Sequence, residues 1–164
     1  MIADWRTLWG DPKLPFLFVQ LAGFADGKEY TQGTDWARLR EAQCRTAEHV
    51  ERTAMVQAYD LGEYNDLHPT DKKSVGKRIA LTAENLIYGK NVVCQGAGVK
   101  EVNRRKETVQ VTFGPDETVL HVVEKEGKKQ VCGFSWIKED ASRVAAEAKL
   151  TGRSAAELKI PKET

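Results

Sequence analysis

Asp66 and His68, in the run Asn65-Asp66-Leu67-His68-Pro69, are the residues of this chain best spaced for chemistry. In an extended segment residues i and i+2 point to the same side, so this spacing lets the carboxylate orient the imidazole. Pro69 has no amide hydrogen and disfavours helix in the residue before it, which predicts an extended His68. A carboxylate-oriented histidine is two thirds of a Ser-His-Asp hydrolytic site. A histidine beside a carboxylate in a loop is more often a structural hydrogen-bonded pair than a catalytic one; its place after a predicted strand and before a capped helix brings the two readings level.

The missing third is a serine on a tight turn with an oxyanion hole. The serines are Ser74, Ser135, Ser142 and Ser154, and none follows a Gly-x-Ser or Gly-Asp-Ser pattern. Ser74 is too close to His68 and falls in the first turns of a predicted helix. Ser135 falls in a predicted strand, and the other two in a late polar region. His49 reads as solvent-facing near a helix end, and His121 as a strand residue without a ligand pattern. The three histidines share no His-x-x-x-His spacing, so a metal site is not expected.

Two parallel strands and a helix must position the pair. Pro15-Phe16-Leu17-Phe18-Val19-Gln20-Leu21-Ala22-Gly23 is a nearly continuous apolar run, the pattern of a strand buried on both faces of a parallel sheet. Asp26-Gly27 and Gln32-Gly33 mark a loop, and Thr34 or Asp35 is placed to cap a helix. Trp36, Leu39, Gln43, Ala47 and Val50 form its stripe, with Glu41 and Arg45 as an i,i+4 pair. Residues 53 to 59 complete a βαβ unit with a right-handed crossover. Ligands of such folds gather beyond the carboxyl ends of the strands. Asp66 and His68 follow the second strand, and Gln20 ends the first. Gln20 therefore either lines a substrate site or satisfies loop backbone. Thr70 or Asp71 then caps a long helix with the stripe Val75, Ile79, Ala83, Leu86 and Ile87, stopped at Gly89. Before all of this, Ile2, Trp5 and Leu8 or Trp9 mark an amphipathic helix.

Beyond residue 90 the period changes to two. Val109 and Val111, Thr118 to Val123 and Gln130 to Trp136 read as strands of an antiparallel meander, with turns at Gly114-Pro115-Asp116 and Glu126-Gly127-Lys128. The expected domains are 1–92, the α/β part, and 93–164, the antiparallel β part. Residues 141–150 have helix-forming composition among these strands.

The bulk properties exclude several classes. The chain has 164 residues, 41% hydrophobic and 30% charged, with a net charge of +1. Such a balance carries no field for nucleic acid or an anionic membrane. Arg104-Arg105-Lys106 is flanked by glutamates and reads as a solvated loop. No apolar run reaches the roughly 18 residues of a membrane span, and the first ten residues are not a signal peptide. Cys44, Cys94 and Cys132 show no Cys-x-x-Cys pairing and read as small buried hydrophobes.

The run from Tyr59 to Lys90 resembles the last catalytic block of the sialate O-acetylesterases, which are SGNH-type carbohydrate esterases. Asp60-Leu61-Gly62-Glu63, Asn65 to Pro69 and Lys72 to Ala80 carry the likeness. Ile2 to Arg6, Pro15 to Ala22 and Trp36 to Gln43 resemble the same family in the same order, and Gly133-Phe134 with the later Ala-rich stretch resembles its β region more weakly. The resemblance implies the second half of an SGNH-like parallel α/β sandwich followed by a small, incomplete antiparallel β region, and strand rather than helix for residues 143–150. It implies His68 as the general base and an aspartate orienting it. That aspartate commonly stands three residues before the histidine, where this chain has Asn65; Asp66 is the choice here, with Asp60 in reserve.

The family's serine and oxyanion blocks precede the Ile2–Arg6 segment. The implied activity is removal of O-acetyl groups from sialic acid or related sugars, with the serine supplied by an amino-terminal half outside this chain. The implied partners are that half and an acetylated sugar or glycan, with Gln20 toward the sugar. The alternative is a non-catalytic carbohydrate-binding or partner-docking remnant of the fold. An extracellular or periplasmic location is implied by the resemblance alone. The two-stranded parallel sheet is expected to expose an apolar surface where the missing half docks.

Overall fold

A computed structural model describes residues 1–24, 35–63, 65–122, 124–125, 128–129, 131, 133–140 and 142–161. The expected turns at Asp26-Gly27, Gln32-Gly33 and Glu126-Gly127, the cap at Thr34 or Asp35, and Cys132 lie outside the described residues and side chains. The chain divides into two compact units, Met1–Gly96 and Ala97–Thr164.

The first unit is α/β. Helix α1 (Ile2–Trp9) ends at Gly10, whose φ of 65° is left-handed. That conformation brings the Gly10 N–H to Thr7 O at 3.1 Å and the Asp11 N–H to Arg6 O at 3.0 Å, closing the last turn. Arg6 then ties the helix to the amino ends of the strands. Its guanidinium donates to Leu14 O and Glu51 O and lies 5.7 Å from the centre of the Phe16 ring. Strands β1 (Phe16–Val19) and β2 (Thr53–Val56) pair in parallel, Phe16 opposite Thr53 and Val19 opposite Val56.

Helix α2 (Asp35–His49) makes the crossover and packs on β2, as the βαβ reading expects. The Glu41–Arg45 pair forms at 2.9 Å on its exposed side. Leu39 departs from the expected stripe and is exposed, whereas Trp36, Gln43, Ala47 and Val50 are half-buried. Helix α3 (Lys72–Leu86) packs on both strands. Asp71 caps it by accepting the Ser74 N–H at 2.9 Å, one of the four amides a helix start leaves unpaired. Gly89, at φ 66°, stands where the stop was expected. Thr82 joins this core although it is polar, because its hydroxyl donates to Arg78 O.

The second unit is antiparallel β. Strands β3 (Gly98–Arg104), β4 (Thr108–Gly114), β9 (Ala148–Leu150) and β10 (Ala155–Lys159) form one sheet in the order β3-β4-β10-β9. Its core is the facing pair Val111 and Ala156 with Ala155 and Leu158. Strands β5 (Glu124–Lys125) and β6 (Lys128–Lys129) pair with each other, as do β7 (Ser135–Ile137) and β8 (Arg143–Ala145).

Two expectations need correction here, and the strand expected for residues 143–150 is met at 143–145 and 148–150. Residues 118–122 form no ladder. The Thr118 N–H closes the turn to Pro115 O, and the Leu120 N–H makes an isolated bond to Arg153 O. His121 is therefore exposed and outside any strand. Of the strand expected from Gln130 to Trp136, the described residues 131, 133 and 134 are not strand and the ladder begins at Ser135; Gly133 at φ 97° breaks the extended run. Residues 143–145 and 148–150 are strand despite their helix-forming composition; pairing with β7 and β10 overrides propensity.

Candidate functional site

The carboxyl ends of β1 and β2 are where the ladder runs out and two loops begin. The Gln20 N–H still bonds to Val56 O at 2.9 Å. One step further the backbone pairing is replaced by a side chain, because Gln20 Oε1 accepts the Ala58 N–H at 3.3 Å. On the edge of β1 turned away from β2, the Gln43 amide accepts the Leu21 N–H at 2.9 Å and donates to Val19 O at 3.1 Å. Beyond them the loops touch backbone to backbone. The Gly23 N–H bonds to Tyr59 O at 3.2 Å, and a Cβ placed on Gly62 would lie 2.1 Å from Gly23 O. Arg40 donates to Ala22 O and stands 4.9 Å over the Tyr59 ring, joining the same two loops.

The segment carrying Asp66 and His68 leaves this junction and returns into α3. A 3₁₀ turn, Tyr59–Leu61, starts it. Arg78 on α3 holds that turn with two bonds of 2.7 Å to the two carboxylate oxygens of Asp60 and a third, of 2.8 Å, to Gln57 O. The bidentate contact holds the Asp60 carboxyl below the usual aspartate range and raises Arg78. Thr70 donates to Glu63 across the segment, and the Asp71 cap closes its far end.

Between these anchors, His68 Nδ1 is 3.4 Å from Asp66 Oδ1, and the same oxygen accepts the His68 backbone N–H at 2.7 Å. The side chains are 81% and 51% exposed. The carboxylate thus holds the backbone of the histidine, and its ring lies within ion-pair reach of the same oxygen without a hydrogen bond to it. With Nδ1 on the carboxylate side, Nε2 is the nitrogen left to take a proton.

The structure brings Asp66 and His68 together, but through a bend at Leu67 and His68 rather than the extended run expected, because the Asp66 carboxylate turns back onto the His68 N–H. Gln20 lies at the carboxyl end of the neighbouring strand, and its carbonyl oxygen is taken by Ala58. Asp60, the reserve aspartate, has both oxygens on Arg78. Ser74 donates its hydroxyl to Asp71 at 2.6 Å as part of the helix cap. Among the described residues no group of three His, Cys, Asp or Glu could hold a metal ion, and no helix is long and apolar enough to cross a membrane. Cys44 and Cys94 are free and half-buried. The residues that reasoning from sequence missed are the supports: Arg78, Gln43 and the Gly23–Gly62 contact.

No protein-family model matches the chain, and no curated protein is similar to it. Among solved structures it is similar to a carbohydrate acetylesterase from Xanthomonas citri, with a TM-score of 0.82 and 32% identity. The alignment covers 98% of this chain and 36% of that one, so the chain spans little more than a third of that esterase's length. The mixed α/β architecture, a parallel pair with antiparallel sheets, is the shared fold.

Proposed function

We propose that this chain is the histidine-bearing part of a carbohydrate acetylesterase that removes O-acetyl groups from sialic acid or a related sugar. The observation that carries the reading is the Asp66–His68 pair, placed beyond the carboxyl ends of a parallel βαβ unit in a chain that matches an acetylesterase over 98% of its length. In this reading a serine supplied by a segment outside the chain attacks the acetyl carbonyl. His68 takes the serine proton and passes it to the departing sugar oxygen. It then takes a proton from water, which attacks the acetyl-enzyme and releases acetate. Asp66 orients the ring and stabilises the imidazolium. Gln20 Oε1 is engaged in the loop, so its contribution to the sugar pocket is through Nε2.

Support for an external segment comes from β1. Its residues are half-buried or exposed, whereas all four of β2 are buried. No strand among the described residues pairs with its outer edge, which the Gln43 amide covers only from Val19 O to the Leu21 N–H, and a strand edge without a partner strand is a template for another strand.

The test is acetate release from O-acetylated sialic acid by this chain together with a serine-bearing segment. His68→Ala is expected to lower kcat by about 10⁶. It is expected to change stability by less than ~0.5 kcal/mol, because the side chain is 81% exposed. Activity of His68→Ala within about tenfold of native refutes the assignment of the base. Turnover by this chain alone, lost in His68→Ala, refutes the external serine. Sugar binding without hydrolysis under every pairing favours the non-catalytic reading.

A further inference from the structure

We infer that Arg78 is a positioning residue for His68, holding the Asp66–His68 pair in register through the Asp60 turn although it touches neither. The inference rests on the reading of His68 as the functional histidine. The segment between Gly62 and Asp71 is exposed over most of its length and has no strand partner of its own. Its geometry is therefore set by its two ends. The far end is the amino terminus of α3, fixed by the Asp71 cap. The near end is the 3₁₀ turn Tyr59–Leu61, and Arg78 binds it to the same helix, two turns into α3. One helix thus sets the separation of both ends of the segment. The third bond of Arg78, to Gln57 O, fixes this span relative to the end of β2.

The contact is built for geometry rather than for stability. Two parallel bonds of 2.7 Å fix the plane of the Asp60 carboxylate against the guanidinium, which a lysine cannot do. The Asp60 side chain is 62% exposed and that of Arg78 31%, and ion pairs so placed contribute little to folding. The Gly23–Gly62 contact holds the turn from the β1 side, so loss of Arg78 frees the turn from α3 without releasing it from the sheet.

The test uses this chain alone and reads the His68 amide proton by NMR, because its bond to the Asp66 carboxylate moves that resonance downfield. Asp66→Ala, which removes the acceptor, sets the full scale of that signature in the native background. In an Arg78→Ala background the Asp66→Ala effect is expected to fall by about half or more, the non-additivity of residues that act through one network. Arg78→Lys is expected to fall between the two, restoring charge without the fork. The Ala54 amide of β2, away from the Arg78 contact at Gln57 O, is expected to stay unmoved. Asp60→Asn, which keeps the shape of the turn and removes its charge, reads the same signature if Arg78→Ala does not fold.

An Asp66→Ala effect of equal size with and without Arg78 overturns the inference. So does an Arg78→Ala change that spreads equally to the Ala54 amide, which marks general loosening. No turnover is measured, so failure here is distinct from failure of the esterase reading, which appears as absence of ester hydrolysis with the His68 signature intact.

Discussion

Adding one methyl group at Gly62 is expected to cost this fold more than any other single glycine-to-alanine change among its described glycines. A Cβ there would lie 2.1 Å from Gly23 O, 2.3 Å from Gly23 N and 2.7 Å from Gly23 C. Non-bonded carbon contacts settle near roughly 3.5 Å, so the two loops must part by about 1 Å. The neighbour is backbone, and it is tied by the Gly23 N–H to Tyr59 O, so it cannot swing aside as a side chain would. The backbone at Gly62 has φ −76° and ψ 162°, open to any residue, and the penalty is therefore purely steric.

Overpacking costs about 1–3 kcal/mol, and loss of the Gly23–Tyr59 bond adds about 1 kcal/mol. Destabilisation of about 3 kcal/mol follows. Gly76 is the control: it lies within α3 with nothing within 4 Å of its Cβ position, and Gly76→Ala is expected to stabilise by about 0.5–1 kcal/mol. The same methyl thus acts with opposite sign at two sites in one unit. Urea unfolding followed on the Ala54 and Val56 amides reads this unit separately from the β unit. A Gly62→Ala midpoint within about 0.5 kcal/mol of native, at unchanged slope, refutes the close contact.

Two further outcomes follow from the supports of the His68 segment. Asp71→Ala removes the α3 cap and is expected to destabilise the first unit by about 1 kcal/mol in the same urea assay. Asp60 has a folded-state pKa lowered first by its Arg78 contact. Its stabilising contribution is therefore present above the ordinary aspartate value near ~4 and is lost as pH falls through the lower folded value. Asp60→Asn should flatten that part of the acid limb of stability against pH, while leaving the curve above about pH 5 parallel to native.

What the sequence disclosed was whatever depends on local spacing. α3 was legible because Val75, Ile79, Ala83 and Leu86 recur at helical intervals between a capping Asp71 and a left-handed Gly89. The parallel strands were legible as apolar runs flanking an amphipathic helix, and the Asp66–His68 contact as an i,i+2 pair. Long-range partners left no such trace. Ala155-Ala156-Glu157-Leu158-Lys159 has helix-forming composition and is strand only because β4 and β9 lie on either side of it. β3 is exposed along its whole length and shows no buried face to read. Asp60 and Arg78 are 18 residues apart, with nothing in either neighbourhood to announce the other. The Gly23–Gly62 contact likewise joins two loops through residues that have no side chains to pattern.

The glutamines show why the site itself was only half legible. Where two parallel strands end, their backbone groups lose ladder partners but are still shielded, and each unpaired group costs free energy. Gln20 meets the Ala58 N–H, Gln43 meets Val19 O and the Leu21 N–H, and Gln57 Oε1 meets the Gly96 N–H at 2.8 Å. An amide side chain carries both a donor and an acceptor, so it replaces a peptide group on a strand edge. The same property suits it to sugar hydroxyls, and residue type alone cannot separate the two uses. Position does so only in part. Gln43 spends both ends of its amide on β1, whereas Gln20 commits its oxygen to Ala58. Of the two uses of Gln20, the bond from its oxygen to the Ala58 N–H is the structural one: it stands in for the ladder partner that the end of β2 has lost.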